Sequence, residues 1–580
     1  MATFGYISPP SSDRLPSPWR RGETRVRAED CHTPETGFWR WLVTTCPIAR
    51  RRMLTEISLP GHAVPGVGPR GEAAPRPFSR HAGSYVGSLM SMGPREAMLT
   101  LADLLEGVVG QRPAAGAIPT MELSAVVIDS REARPNSLFV ALRGEQQDGH
   151  EFVADAFARG AVAALIEREV EAECQIVDAQ TPLPATSIQP PFCLMTGDSL
   201  KALQRLAAFW RARFSPRVIG VTGSVGKTTT KEMIWSVLRQ RFRTLKSWGN
   251  YNNEIGLPLT LLYLNPEHER VVLEMGMYAL GEIAALAAIA RPHVGVVTNV
   301  GPTHLERLGT IERIAQAKSE LVAALPPASQ GGIAILNRDD PMVRAMAEKT
   351  QAQVFYYGLD PACDLWASHV ESRGLEGVRF QLHSGKERLH VKIPLLGRHS
   401  VHTALAAAAV GLVEGESWEE IVAGLWDVTE QVRLVAVKGI KGSTIIDDTY
   451  NASPASSIAA LNLLEELLGR KIAVLGDMLE LGDFEEEGHR KVGRRVVDVA
   501  SILITVGPRG RIIAQEALAC GMAEGDVFMV ESNEQAIAQL RQIISQGDVV
   551  LVKGSRGMKM EEIVAALTAP LDQSQGMNAP

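Results

Sequence analysis

Short β-branched runs alternate with helix-period segments over most of the chain, and that alternation predicts parallel α/β structure. In the middle of the chain the runs are Val218–Val221, Val271–Glu274, Val294–Thr298 and Ile333–Asn337, preceded by a helix over Ser199–Arg213. Beyond about Trp426 the alternation restarts with Thr444–Asp447, Lys471–Leu475, Ile502–Val506 and Val549–Lys553, each followed by helix-forming sequence. Ahead of both lies a compact first unit with strands at Ala125–Ile128 and Leu138–Ala141 and a helix around Phe152–Arg159, interrupted by a proline-rich loop from Thr181 to Pro191. No fixed-period repeat runs through these segments. The expectation is an α/β protein of three domains over 98–197, 198–426 and 427–570, with a tail over 571–580.

The bulk numbers agree with that reading. A chain of 580 residues is too long for one core, and 45% apolar with 22% charged residues is ordinary for a globular protein. The longest alanine-rich run, His402 to Val413, falls short of the roughly 20 residues that span a bilayer, so no membrane span is expected. A net charge of -7 argues against a broad nucleic-acid surface but permits local basic pockets for phosphates. The six cysteines (Cys31, Cys46, Cys174, Cys193, Cys363, Cys520) form no CxxC pair and no cluster with histidine, which suits a reduced, cytoplasmic setting. Residues 1–97 differ from the rest, with 12 of the 33 prolines, 13 arginines, no lysine and 8 acidic residues. A poorly ordered tail, a misassigned start whose product begins near Met98, and a targeting segment compete to explain them. The acidic residues and the lack of an apolar segment weigh against targeting.

The strongest chemical signal is Gly220-Val-Thr-Gly223-Ser224-Val225-Gly226-Lys227-Thr228-Thr229-Thr230, which follows a strand and opens the helical Lys231–Leu238. Glycines let a backbone curl so that its N–H groups and the following helix N-terminus surround phosphate oxygens. Lys227 adds a charge at the transferring phosphate, and Thr228 a hydroxyl for magnesium. The plain alternative is a glycine-rich turn bearing a surface lysine. The spacing departs from the commonest phosphate loop, because the glycine required five residues before Gly226 is Val221. With that departure, Thr222-Gly223-Ser224-x-Gly226-Lys227-Thr228-Thr229 resembles the loop of the Mur ligases and their folylpolyglutamate synthetase relatives. The resemblance extends from about Leu99 to Leu567. It implies an N-terminal UDP-binding α/β domain, a central phosphate-loop ATPase domain with a parallel sheet, and a C-terminal Rossmann-like domain.

Three further residues stand out. Glu274 ends a buried strand, so its carboxylate emerges at the strand's C-terminal edge, where α/β sheets bind ligands and where it could hold magnesium. His304 lies just past the strand Val294–Thr298 on the same edge; a lone loop histidine is more often without function, and the resemblance is what makes it a ligand. Lys318 sits in the apolar stripe Ile311, Ile314, Leu321, Val322, Leu325 of a helix over Ile311–Leu325, where a lysine does not belong by default. Its stem could lie on the core with the ammonium reaching water. In Mur ligases the lysine of the segment matching Ala317-Lys318-Ser319-Glu320 is carbamylated and helps hold magnesium, and the resemblance implies the same here. Burial lowers a lysine pKa toward the neutral amine that reacts with carbon dioxide. The resemblance thus implies Lys227, Glu274, His304 and Lys318 as the catalytic set, with Thr228, Glu274, His304 and Lys318 around magnesium.

The resemblance places further residues by segment. ATP would be held by Gly223, Ser224, Val225, Gly226, Lys227, Thr228 and Thr229, with Asn337 on the adenine side, Arg433 at the γ-phosphate and Asp448 closing over it. A simple helix cap at Asp339 or Asp340 is the alternative for that segment, and Val432 replaces the glycine that usually precedes the arginine. Tyr450, Asn451 and Ser453, with Lys553, Ser555 and Arg556 of a C-terminal loop, would meet the substrates; a surface turn is the alternative for that last loop. Ser130 and Arg131 resemble part of the UDP-binding domain, and Asn252 and Asn253 could bond sugar and diphosphate or merely precede a helix.

Gly249-Asn-Tyr-Asn252-Asn253-Glu-Ile-Gly256 and Tyr450-Asn-Ala-Ser-Pro454 look like the branch of the family that adds D-alanyl-D-alanine to UDP-N-acetylmuramoyl-tripeptide. The tripeptide-forming branch, which adds a diamino acid to a UDP-muramoyl-dipeptide, is the alternative. Its Tyr-Ala-His-x-Pro and Asp-Asn-Pro-Arg segments do not occur in the chain. Folylpolyglutamate synthetase leaves the first domain unexplained, and a non-catalytic nucleotide-gated module leaves Lys227, Glu274, His304 and Lys318 unexplained. The implied cofactors are ATP and Mg2+, and a monomer is expected.

Overall fold

The structure is a computed structural model that describes residues 99–144, 147–184, 187–427 and 434–568. The expectations for residues 1–97, for the tail and for Arg433 lie outside the described residues. No helix of the described residues is long and apolar enough to cross a membrane.

The N-terminal sheet holds β1 (Ala125–Val127), β2 (Ser137–Val140), β3 (Ala161–Ile166), β4 (Gln175–Asp178) and β5 (Phe192–Met195) in the order β1-β2-β3-β5-β4, all parallel. The sequence reading found the first two and not β3–β5. The proline-rich loop between β4 and β5 is docked: buried Ile188 donates its N–H to the Ala117 carbonyl at 2.8 Å. Leading into this body, the helix Leu101–Val109 starts at a Thr100/Asp103 capping box. Its Leu104 and Leu105 share one apolar cluster with Leu203, Leu206 and Trp210 of the helix Ser199–Ala212 and with Val271 and Leu273 of the next sheet. The first two bodies therefore share a core.

The central sheet contains β6 (Arg217–Thr222), β7 (Thr244–Lys246), β8 (Arg270–Glu274), β9 (Val294–Val297), β10 (Ile333–Asn337), β11 (Gln353–Gly358), β12 (Leu365–Ser372), β13 (Val378–Ser384) and β14 (Glu387–Ile393). Their order is β14-β13-β12-β11-β10-β9-β6-β8-β7. The strands β6 to β11 are parallel, whereas β12–β13–β14 form an antiparallel extension that the sequence reading did not anticipate. The parallel strands are covered on both faces: Val218, Ile219, Val221, Val271, Val272, Leu273, Val294 and Val296 have no exposed surface. β6 lies between β8 and β9, so chain order reverses around it and a crevice opens at the C-terminal edges of these three strands. The alanine-rich run is a buried helix, Ser400–Val413, packed on the phosphate-loop helix Lys227–Leu238.

The C-terminal sheet comprises β15 (Val435–Lys438), β16 (Thr444–Asp448), β17 (Lys471–Gly476), β18 (Ile502–Val506), β19 (Val527–Val530) and β20 (Val549–Lys553), ordered β15-β16-β20-β17-β18-β19. Only the edge strand β15 is antiparallel. After β16 comes the helix Pro454–Glu466, started by Ser453 as cap and proline in its first turn.

Candidate active site

β6 delivers the phosphate loop. Gly226 takes φ +83, the left-handed region, as the helix Lys227–Leu238 begins. At Gly223 a Cβ would lie 1.8 Å from Thr298 Oγ1, so no side chain fits there. The loop is held open from β9's trailing segment. Asn299 Oδ1 accepts the Val225 N–H at 2.9 Å, and Ser224 Oγ accepts the Gly301 N–H at 2.8 Å. Lys227 folds back over its own loop, its ammonium donating to the carbonyls of Gly223 (2.9 Å) and Ser224 (3.3 Å). A phosphate would exchange those weak dipoles for charged oxygens.

β8 ends at Glu274, 1% exposed, with both carboxylate oxygens engaged. Thr228 Oγ1 donates to Oε2 at 2.6 Å, and Asn252 Nδ2 to Oε1 at 2.8 Å. On the helix Ile311–Ala323 the buried face is Ile314, Ala317, Lys318, Leu321 and Val322, so the misplaced lysine of the sequence does point inward. Lys318 is 2% exposed and has no hydrogen-bond or ion-pair partner among the described residues. Burial, then the nearby Lys227 charge, lowers the pKa of its amine well below the ordinary lysine value, toward the neutral form. His304 takes φ +58, a strained setting for a non-glycine residue. Its ring stands edge-on to Tyr278 at 5.1 Å, and its Nδ1 lies 2.8 Å from Glu480 Oε2 in the C-terminal body, off the line of a hydrogen bond.

Thr228 and Glu274 present hard oxygens that suit magnesium, which favours oxygen ligands and keeps several waters. Among the described residues no group of three His, Cys, Asp or Glu side chains gathers for a metal. The buried Lys318 amine lines the same cavity as Glu274, and carbamylation would convert it into the further anion a magnesium site needs, so these residues fit the metal.

These groups line one cavity of about 900 Å³ between the central and C-terminal sheets. Lys227, Glu274, His304 and Lys318 all reach it, as do Ser224, Val225, Gly226, Thr229, Asn252, Asn253 and Asn337. Across from them stand Asp448, Tyr450, Asn451, Ser453, Lys553, Ser555 and Arg556. Lys553, 2% exposed, donates to Asp448 Oδ2 at 2.6 Å and to the Asn451 carbonyl at 2.9 Å. Ser555 Oγ accepts the Leu479 N–H at 2.8 Å, and the Arg556 guanidinium sits 5.7 Å from the centre of the Tyr450 ring.

Some expected residues have other partners. Asp340 is a helix cap, its Oδ1 accepting from Met342 and Val343, while Asp339 pairs with His402 Nε2 at 2.8 Å. Asn253 lines the cavity, but its Oδ1 accepts the N–H of Gly256, the first residue of the next helix, at 2.9 Å. Ser130 and Arg131 do not line the cavity; Ser130 is buried and Arg131 turns to solvent in a 2.6 Å ion pair with Asp129. The Tyr251 phenol of the 249–256 loop is pushed up first by burial and then by the charge of Glu132, the residue after Arg131. The sequence reading missed Asn299, Tyr278, His402 and Glu480. An asparagine directly after a glycine-containing strand was the one available signal.

Residues 221–411 match the Mur ligase middle domain, residues 432–556 the Mur ligase glutamate ligase domain, and residues 122–187 the Mur ligase family catalytic domain. The UDP-N-acetylmuramoyl-tripeptide--D-alanyl-D-alanine ligase of Bacillus subtilis is 39% identical over 452 residues, covering 77% of this chain and 93% of that protein. The crystal structure of MurF from Acinetobacter baumannii superposes with a TM-score of 0.68 at 32% identity, over 80% of this chain and 97% of that one. MurF from Thermotoga maritima, in complex with ADP, gives 0.64 at 29% identity, over 76% and 96% of the two chains.

Proposed function

The chain belongs to the Mur ligase family, and within it we propose that the protein joins D-alanyl-D-alanine to UDP-N-acetylmuramoyl-tripeptide at the expense of ATP. One observation carries the chemistry: Lys227, Glu274, which the Thr228 hydroxyl holds, and the buried, unpartnered Lys318 face a single cavity. The name of the relatives supports the D-alanyl-D-alanine branch over the tripeptide-forming one.

A carboxylate oxygen at the end of the tripeptide attacks the γ-phosphorus of ATP, the bond to ADP breaks, and an acyl phosphate forms. The phosphate loop wraps the phosphates, and Lys227 leaves its carbonyls to follow the charge on the transferring group. Magnesium, when bound at Thr228, Glu274, His304 and a carbamate on Lys318, offsets the triphosphate charge. The carbamate arises when the neutral Lys318 amine adds carbon dioxide and releases a proton. Asn337 lies on the base side of the nucleotide, with Arg433 reaching the γ-phosphate. Asn252 and Asn253 meet the sugar-nucleotide, and Ser130 and Arg131 belong to the domain that carries the UDP end. Tyr450, Asn451, Ser453, Ser555 and Arg556 hold the incoming dipeptide, with the Arg556 cation near its carboxylate. The dipeptide amine attacks the acyl carbonyl, the tetrahedral adduct collapses, and phosphate leaves as the peptide bond forms. Positioning and charge neutralisation do most of the work. A nucleotide-driven reaction on a soluble precursor belongs to the cytoplasm, and a single chain supplies every group named.

Phosphate release with ATP, UDP-muramoyl-tripeptide and D-alanyl-D-alanine tests the proposal. Turnover that instead requires UDP-muramoyl-dipeptide and a free diamino acid defeats it.

A further inference from the structure

Lys231 lies one turn beyond Thr228 on the phosphate-loop helix and is fully buried, yet no step above uses it. Its ammonium donates to the carbonyl of Ser247 at 2.7 Å and to that of Gly249 at 3.3 Å, and stands 3.0 Å from Glu232 Oε1. A buried ammonium is strongly unfavourable unless its donors are taken up, so this lysine and this loop need each other. The two carbonyls open the segment that runs from β7 to the helix Gly256–Leu261 and carries Asn252 and Asn253. Ser247 Oγ accepts the Glu274 N–H at 3.1 Å, Asn252 Nδ2 donates to Glu274 Oε1 at 2.8 Å, and the Asn252 carbonyl accepts the Gly276 N–H at 2.7 Å. Thr228 holds the other Glu274 oxygen. Thr228 and Lys231, three apart on one helix face, therefore grip the same carboxylate, one directly and the other through the 247–252 loop.

We propose that Lys231 is a positioning residue that couples the nucleotide site to the carboxyl-substrate site. It fixes the 247–252 loop so that Asn252 aims Glu274 at the metal and triphosphate while the neighbouring Asn253 stays in the sugar-nucleotide's path. The inference rests on the ligase reading of the cavity. Because the coupling is a free energy shared by two ligands, it acts in both directions.

Equilibrium titrations of the full chain test it: ADP with and without Mg2+, and UDP-muramoyl-tripeptide with and without Mg2+ and ADP. Lys231→Met keeps the reach of the side chain and removes its donors. In that variant ADP alone binds within about threefold of the native value, while the tightening by Mg2+ falls about tenfold, the worth of one mis-set charged hydrogen bond. The tightening of UDP-muramoyl-tripeptide by Mg2+ and ADP disappears. Arg211→Met is the control, since Arg211 is another buried cation holding the carbonyls of Ala290, Phe214 and Pro216, at the opposite edge of the sheet. It leaves both factors native. If Lys231→Met does not fold, Ser247→Ala reads the same link, because it deletes only the hydroxyl between the held loop and Glu274; the Mg2+ factor then falls about threefold. Native factors in folded Lys231→Met or in Ser247→Ala overturn the inference, as does equal loss in Arg211→Met or a native protein whose ADP affinity ignores Mg2+. A native protein that binds no UDP-muramoyl-tripeptide defeats the substrate reading alone, and the ADP arm still decides on Lys231.

Discussion

Thr228 Oγ1 and Glu274 Oε2 stand 2.6 Å apart, a hydrogen bond that joins the first turn after the phosphate loop to the end of the neighbouring strand β8. Glu274→Gln replaces one acceptor oxygen with a donor, facing either the Thr228 hydroxyl or the Asn252 amide. We expect kcat to fall about 100-fold, as for loss of one preorganised electrostatic partner, and the Mg2+ needed for half-maximal rate to rise. Phosphate release measured against Mg2+ concentration checks this; an unchanged Mg2+ requirement would remove Glu274 from the metal site.

Lys318→Met should separate stability from activity. Without its carbamate, the folded protein holds this amine's pKa well below the ordinary 10.5, chiefly through burial, so the native state binds fewer protons than the unfolded chain as pH falls below that value. Stability conferred at high pH is lost on the way down, and methionine removes the loss. With carbon dioxide and Mg2+ removed, the thermal unfolding temperature at pH 7.5 should therefore rise by about 2 to 4 °C, while turnover under assay conditions drops at least about 100-fold. In the native enzyme, carbon-13-labelled bicarbonate should give a carbamate resonance that Lys318→Met lacks. A native spectrum without that resonance would falsify the carbamate.

The buried Lys553–Asp448 pair carries a different risk. Asp448→Asn leaves a 2% exposed ammonium without its carboxylate, a loss of about 3 to 5 kcal/mol. The double change Asp448→Leu with Lys553→Met should regain most of that stability and none of the activity. Denaturant unfolding of the three proteins decides it, and a double variant as unstable as the single one contradicts the account.

Away from the cavity, Glu416 is 6% exposed and its carboxylate oxygens have no hydrogen-bond partner among the described residues. Burial, then Glu420, raises its carboxyl to about 7, against the Arg241 and Arg270 cations that pull it down. A raised folded pKa means that the stability it gives is complete below 4.5 and is lost as pH climbs through about 7. Glu416→Gln should therefore raise the melting temperature at pH 8 by about 2 to 4 °C and change it little at pH 4.5. Equal shifts at both pH values would show that packing, not ionisation, is at stake.

What could be read from the sequence follows from how locally each feature is encoded. The phosphate loop was legible because glycine spacing imposes its own backbone, and Lys318 because a cation in an apolar stripe has few benign settings. The strands β6, β8, β9 and β10 carried continuous apolar runs and were placed within a residue or two. β4, with a mixed burial pattern, had no such run and was missed, whereas β3 (AVAALI), rich in helix-favouring alanine, and β5 (FCLM), behind a proline-rich loop, were missed although their residues are apolar. The antiparallel β12–β14 alternate more and less buried positions instead of carrying continuous apolar runs, so they lack the signal that marked the parallel strands. His402, Tyr278 and Glu480 enter the cavity from three separate segments, and only tertiary packing brings them there. Resemblance led to Ser130 and Arg131, yet neither lines the cavity.

The cavity's two walls belong to different sheets, with Lys227 and Glu274 on one and Tyr450, Lys553 and Arg556 on the other. An acyl phosphate exposed to water is hydrolysed, and the ATP behind it is wasted. On the proposed reaction, a chamber split this way would make timing part of the chemistry: the wall assigned to the amine would be the same wall that shuts out water. Fidelity would then depend on the order of arrival, with the reactive intermediate sheltered once its proper acceptor drew the two halves together.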